Sequence, residues 1–98
     1  MTDKMVEMFE LVGEMMTIPG MDEMVDKYNK LPEEKRIAKN GFRLKLCALC
    51  VKHAPDAMLK LCALEMDKTV DEIAALPDKE KSAIFQQIVG SVVAPFLA

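Results

Sequence analysis

Apolar side chains recur along the start of the chain at steps of three and four: Met5, Met8, Phe9, Val12, Met15 and Met16. That period puts them on one stripe of an α-helix over residues 3–17, with Glu7, Glu10 and Glu14 on its other faces. Ile18-Pro19-Gly20 ends the pattern, since proline and glycine together punctuate a helix. Met21, Met24, Val25, Tyr28 and Leu31 describe a second, shorter stripe, closed by Leu31-Pro32.

A third helix is expected to follow Pro32, because Glu33 and Glu34 favour the positive end of a helix dipole. Asn40-Gly41 is either a turn or a tolerated helical glycine. Ile37, Gly41, Leu44, Ala48 and Val51 share one face, which favours a continuous helix over about residues 33–53. The string LKLCAL occurs at 44–49 and again at 59–64, with Ala54-Pro55-Asp56 between the copies. Proline disfavours the helical region for the residue before it and is at home in the first turn, so a new helix begins at Pro55. Leu44, Leu46, Cys47, Ala48, Leu49, Cys50 and Val51 cover nearly the whole circumference of the helix before it. A helix apolar all round is a buried one, and this pair is expected at the centre, with Leu49 and Leu61 as core positions.

After the pair, Thr69-Val70-Asp71-Glu72 fits a capping box and predicts a short helix over 70–76, stopped by Pro77. Asp78 is placed to cap a last helix through Ile84, Phe85, Ile88, Val89, Val92 and Val93, fraying at Pro95. Residues 82–98 carry no charge. Such a run either fills the core or offers a sticky surface to another chain. In the second case charge placed at Val92 and Phe96 weakens association and leaves helix content intact. The sum is one all-α domain over residues 1–98, a compact bundle of five to six short helices around a central apolar helix pair. Its parts are an N-terminal helical hairpin (3–31), the central pair (33–66) and C-terminal helices (69–98).

Composition agrees: half the residues are apolar, Leu, Ala, Met, Glu and Lys dominate, and glycine and proline are too few for an all-β chain. Seven of the nine methionines fall in residues 1–24. The net charge of −3 hides segregation: residues 1–26 hold seven acids against Lys4, whereas residues 27–60 hold nine bases against Glu33, Glu34 and Asp56. Such separation suits contact between segments or between copies, although solvated helix faces produce it too. Three cysteines with no signal peptide or membrane-length run ahead of them point to free thiols in a reducing cytoplasm.

Candidate chemistry is thin. Cys47, Cys50, His53 and Cys62 formally suffice for tetrahedral zinc, but their flanks are core-like and a second CxxC is absent, so free packing cysteines are expected and no metal. A redox CxxC needs a helix N-terminus, and these lie mid-helix. No nucleophile with an organising base, phosphate loop or paired carboxylate is visible, so neither catalysis nor a cofactor is expected. Lys35, Arg36, Lys39, Arg43 and Lys45 form a basic run, but the chain is acidic and no aromatics interleave, so nucleic acid is not an expected partner. A small helical regulatory or oligomerisation module, touching nucleic acid through residues 35–45, stands as the alternative.

Lys52-His53-Ala54-Pro55, then Leu59-Lys60-Leu61-Cys62-Ala63-Leu64, then Lys68-Thr69-Val70-Asp71-Glu72-Ile73 resembles the small tail assembly chaperones of long-tailed phages and prophages. In that family a basic helix, an apolar Leu/Ala helix, a capped turn and one more helix follow in this order. Met66-Asp67 stands where the family often has a glycine-containing turn. The resemblance covers roughly residues 5–76. It implies an all-α, non-enzymatic protein of the infected cell's cytoplasm that keeps the tape measure protein soluble and helps tail tube protein polymerise around it. Methionine suits adaptable binding surfaces, so the client-binding candidates are Met5, Met8, Phe9, Val12 and Met16 on the first helix, with Ile88, Val92, Val93, Phe96 and Leu97 in the uncharged run. A homo-oligomer is expected, because so small a domain does not easily bury every apolar stripe.

Overall fold

The chain turns near Pro19-Gly20, Pro55 and Pro77, where the apolar period breaks, and again at Asp67. The structure, a computed structural model, describes residues 3–32 and 40–97. Among these, six α-helices follow one another: α1 Asp3–Met16, α2 Met21–Lys30, α3 Asn40–His53, α4 Pro55–Met66, α5 Val70–Ala74 and α6 Asp78–Ile88. α6 runs on into a π-helical turn, Val89–Val93, and a 3-10 turn, Ala94–Leu97. No strand occurs among the described residues, and the fold is all-α. Asn40 and Gly41 are helical, so no turn falls there. The expected start of that helix near residue 33 lies outside the described residues, with Lys35, Arg36 and Lys39.

Each junction has a local cause. Gly20 lies at φ 89°, a left-handed conformation that side-chain-bearing residues resist. Leu49 Cδ1 sits 3.6 Å from where a Cβ on Gly20 would be, so the α1–α2 turn packs on α3. The Tyr28 and Phe42 rings, 4.9 Å apart, tie α2 to α3. Pro55 occupies the first turn of α4, as the proline rule predicts. At the other end of α4, Asp67 turns left-handed (φ 56°, ψ 46°), and the N–H groups of Asp67 and Lys68 both donate to the Ala63 carbonyl. The capping box forms as read: Glu72 N–H donates to Thr69 Oγ1 at 3.1 Å, and Thr69 N–H donates to Glu72 Oε1 at 3.2 Å. One cap differs from expectation. Extended Pro77 precedes α6 and Asp78 is its first residue, so the Asp78 carboxylate pairs with Lys81 Nζ at 3.8 Å instead of capping.

The core is centred on α4, which packs against α1, α3, α5 and α6. Its Ala57, Met58, Leu61, Cys62 and Ala63 are all buried. The first LKLCAL copy behaves differently. Leu46, Cys47 and Cys50 of α3 are buried, but Leu44 is 49% exposed and Ala48 faces solvent. Of the two apolar helices only the second is enclosed, because α3 has helices on its inner side only. The stripe on α1 is likewise rotated from the sequence reading: Leu11, Val12 and Met15 are buried with Met8 and Met16 half-buried, whereas Met5 and Phe9 are exposed. Ile88, Val89, Val92 and Val93 complete the core from the other end of the chain. The Cα radius of gyration is 13.2 Å, as expected for a compact chain of this length.

Candidate functional site

Among the described residues, two apolar surfaces stand out on the outside of this bundle. The first is a ridge on α1. Met5, Val6 and Phe9 are 42%, 40% and 44% exposed, and the helical period places them side by side. Phe96, itself 46% exposed, closes the ridge, with its ring edge-to-face on that of Phe9 at a centroid distance of 6.1 Å. The folded chain thus brings together parts of the two stretches singled out as client-binding candidates. The same helix carries Asp3, Glu7, Glu10 and Glu14, all exposed, in a stripe along the flank of the ridge beyond Val6.

Not every candidate lies on this surface. Val12, Ile88, Val92 and Val93 are buried in the core, so they fill the fold and are not surface residues. The reason is geometric: on α1 the inward direction runs through Leu11 and Met15, and the π-helical turn that carries Val89, Val92 and Val93 packs against α3. Met8 and Met16 sit half-buried at the edge of α1's inner face. Leu97 closes the 3-10 turn. Val6, which the sequence reading passed over, belongs to the ridge; its position one residue after Met5 and three before Phe9 was the signal.

The second surface is a groove of about 440 Å³ between α3 and α6, lined by Leu44, Cys47, Ala48, Val51, Ser82 and Phe85, with Asp78, Lys81 and Gln86 at its border. Lys45 and Lys52, exposed on α3, stand beside Ala48 on its solvent side, and exposed Lys79 lies beside Ser82 on α6. Lys81 Nζ is held by the Ala74 carbonyl at 3.3 Å as well as by Asp78. A third recess, of about 500 Å³, lies between α1 and the α4–α5 turn, where Lys4, Lys60 and Lys68 meet Glu7 and Asp67. Its mixed signs favour neither anion nor cation.

The three thiols are free and buried. Burial pushes Cys47 up, Cys50 up to about 11 and Cys62 up to about 12, with the charge of Cys47 a smaller contributor to the last two. A thiol so shifted is a packing group, since the thiolate is the reactive species. His53 is exposed at the end of α3. Among the described residues no three His, Cys, Asp or Glu side chains gather as a metal ion would need. In the described part of the basic run, Lys45 is exposed, but Arg43 lays its stem over the π-helical turn. Its Cδ is 3.3 Å from where a Cβ on Gly90 would be, so the arginine stem lies close over that turn. The run therefore does not continue through Arg43 as one exposed basic face. No helix among the described residues is long and apolar enough to cross a membrane. No family model matches the chain, and no curated protein or solved structure was found similar to it.

Proposed function

We propose that the chain is a non-enzymatic tail assembly chaperone of a long-tailed phage or prophage, acting in the host cytoplasm without a cofactor and binding tape measure or tail tube protein through apolar helical surface. The observation that carries this reading is the exposed ridge of Met5, Val6, Phe9 and Phe96, an apolar strip with no core role, on a small helical domain. Apolar side chains clustered at a surface mark interaction sites more often than chance exposure does, and a ridge on a helix suits a helical client. Asp67 adds support. The family often has a glycine-containing turn there, and Asp67 adopts the left-handed conformation that glycine favours.

Co-expression with the tape measure protein of a long-tailed phage tests the reading. The client is expected to stay soluble with the parent chain and to precipitate with Phe9→Asp. A client equally soluble, or equally insoluble, with and without the parent chain removes the proposal. The regulatory alternative is met in the same samples by titrating duplex DNA at low salt, where the chaperone reading expects no binding.

A further inference from the structure

The two exposed apolar surfaces are bordered by opposite charge that the chain offsets only in part: Glu7 shares a recess with Lys4, Lys60 and Lys68, and Lys81 pairs with Asp78. Asp3, Glu7, Glu10 and Glu14 flank the α1 ridge, whereas Lys45, Lys52, Lys79 and Lys81 stand around the α3–α6 groove against Asp78 alone. Among the described residues the ion pairs are Lys30 with Asp26 and Lys81 with Asp78, both within one helix. The shapes correspond as well as the charges. Val6 and Phe9 project from one turn of helix, and the groove offers Leu44, Ala48, Val51 and Phe85 over a length of about 10 Å on α3, at 1.5 Å per residue. A single copy cannot close this contact on itself, because α1 and α3 are each fixed against α4.

We propose that copies of the chain associate head to tail, the acid-flanked α1 ridge of one seated in the lysine-flanked α3–α6 groove of the next. This specifies a self-contact of the chain and does not rest on the chaperone reading or on any client. The contact is heterologous: each copy keeps a free ridge at one end and a free groove at the other. Such an interface builds chains or closes into rings and does not stop at a dimer. Opposed charges at the border steer the encounter and fix its direction, and salt weakens them.

Sedimentation velocity on the full chain across a range of concentrations tests this. The parent is expected to grow past a dimer, and to do so less readily at high salt. Phe9→Asp spoils the ridge and Ala48→Arg spoils the groove; both positions are exposed, so helix content should hold. Each variant alone is expected to be monomeric, its association weakened by more than about tenfold, as loss of a central contact does. Mixed together, the two should form a dimer and nothing larger, through the one intact ridge and the one intact groove. A parent that is monomeric at every concentration, or a mixture that stays monomeric or grows past a dimer, overturns the proposal. Should a variant lose helix content, Glu10→Lys and Lys45→Glu take their place. Each alone should weaken association, and mixing them should recover it through the exchanged charges; no recovery overturns the proposal equally.

Discussion

The ring of Phe9 meets the ring of Phe96 edge to face at 6.1 Å, joining the first helix to the last turn of the chain. Both rings are nearly half exposed, so the pair holds two surface elements together without entering the core. Val92, one turn earlier, is 8% exposed and belongs to the core. The expectation that charge at Val92 and Phe96 would act alike therefore divides. Phe96→Lys is expected to cost about 1 kcal/mol or less, the scale of an aromatic pair. Val92→Asp, which buries a carboxylate without a partner, should cost several-fold more, about 3 kcal/mol or above. Urea unfolding of the two single variants, followed by circular dichroism, separates the positions.

Core truncation should rank the two central helices. Leu61 is fully buried on α4, so Leu61→Ala is expected to cost about 2–5 kcal/mol. Leu49 on α3 is only half-buried against the Gly20 turn, and Leu49→Ala should cost less. Equal losses in denaturant unfolding would contradict the placement of α4 as the enclosed helix.

The capping box has a pH signature. Thr69 donates its backbone N–H to the Glu72 carboxylate, and that bond, with the Thr69 side chain and Lys68 as smaller causes, holds the Glu72 pKa below the usual glutamate range. A depressed folded-state pKa means that the stabilisation is present above the unfolded pKa and is lost as pH falls through the folded one. Glu72→Gln should remove this part of the acid dependence of Tm and leave the rest. Thr69→Ala, which removes the oxygen that accepts from Glu72 N–H, is expected to cost about 1 kcal/mol at neutral pH.

Asp67 stands in left-handed backbone at φ 56°. Glycine has no Cβ to crowd the carbonyl there, so Asp67→Gly is expected to stabilise the chain by up to about 1 kcal/mol, and Asp67→Val to destabilise it. Thermal unfolding of both variants reads the sign directly.

Thiol reactivity should follow burial. At pH 8 the folded chain is expected to alkylate slowly at all three cysteines, with Cys47, at 9% exposure on the groove floor, ahead of Cys50 and Cys62 at 0%. In denaturant the three should react alike. Mass spectrometry of iodoacetamide-treated samples over time distinguishes this order from a Cys50 that reacts first.

Periods and breakers along the chain were enough to determine which segments are helical, where Pro19-Gly20, Pro55 and Pro77 part them, and that Thr69 and Glu72 cap each other. These depend on residues within one or two turns, and local sterics and hydrogen bonds settle them. Both LKLCAL copies read as core in the sequence, and only the second is enclosed. Which side of α3 and α1 faces inward was not decided locally. Leu44, Ala48, Met5 and Phe9 are apolar, yet the fold leaves them outside, because the core direction is set by helices arriving from elsewhere in the sequence. Two helices with the same six-residue string thus end up one enclosed and one half exposed, because each meets different neighbours. The meeting of Phe9 with Phe96, and the separation of an acid-flanked ridge from a lysine-flanked groove, likewise exist only once α4 has gathered the other helices around it.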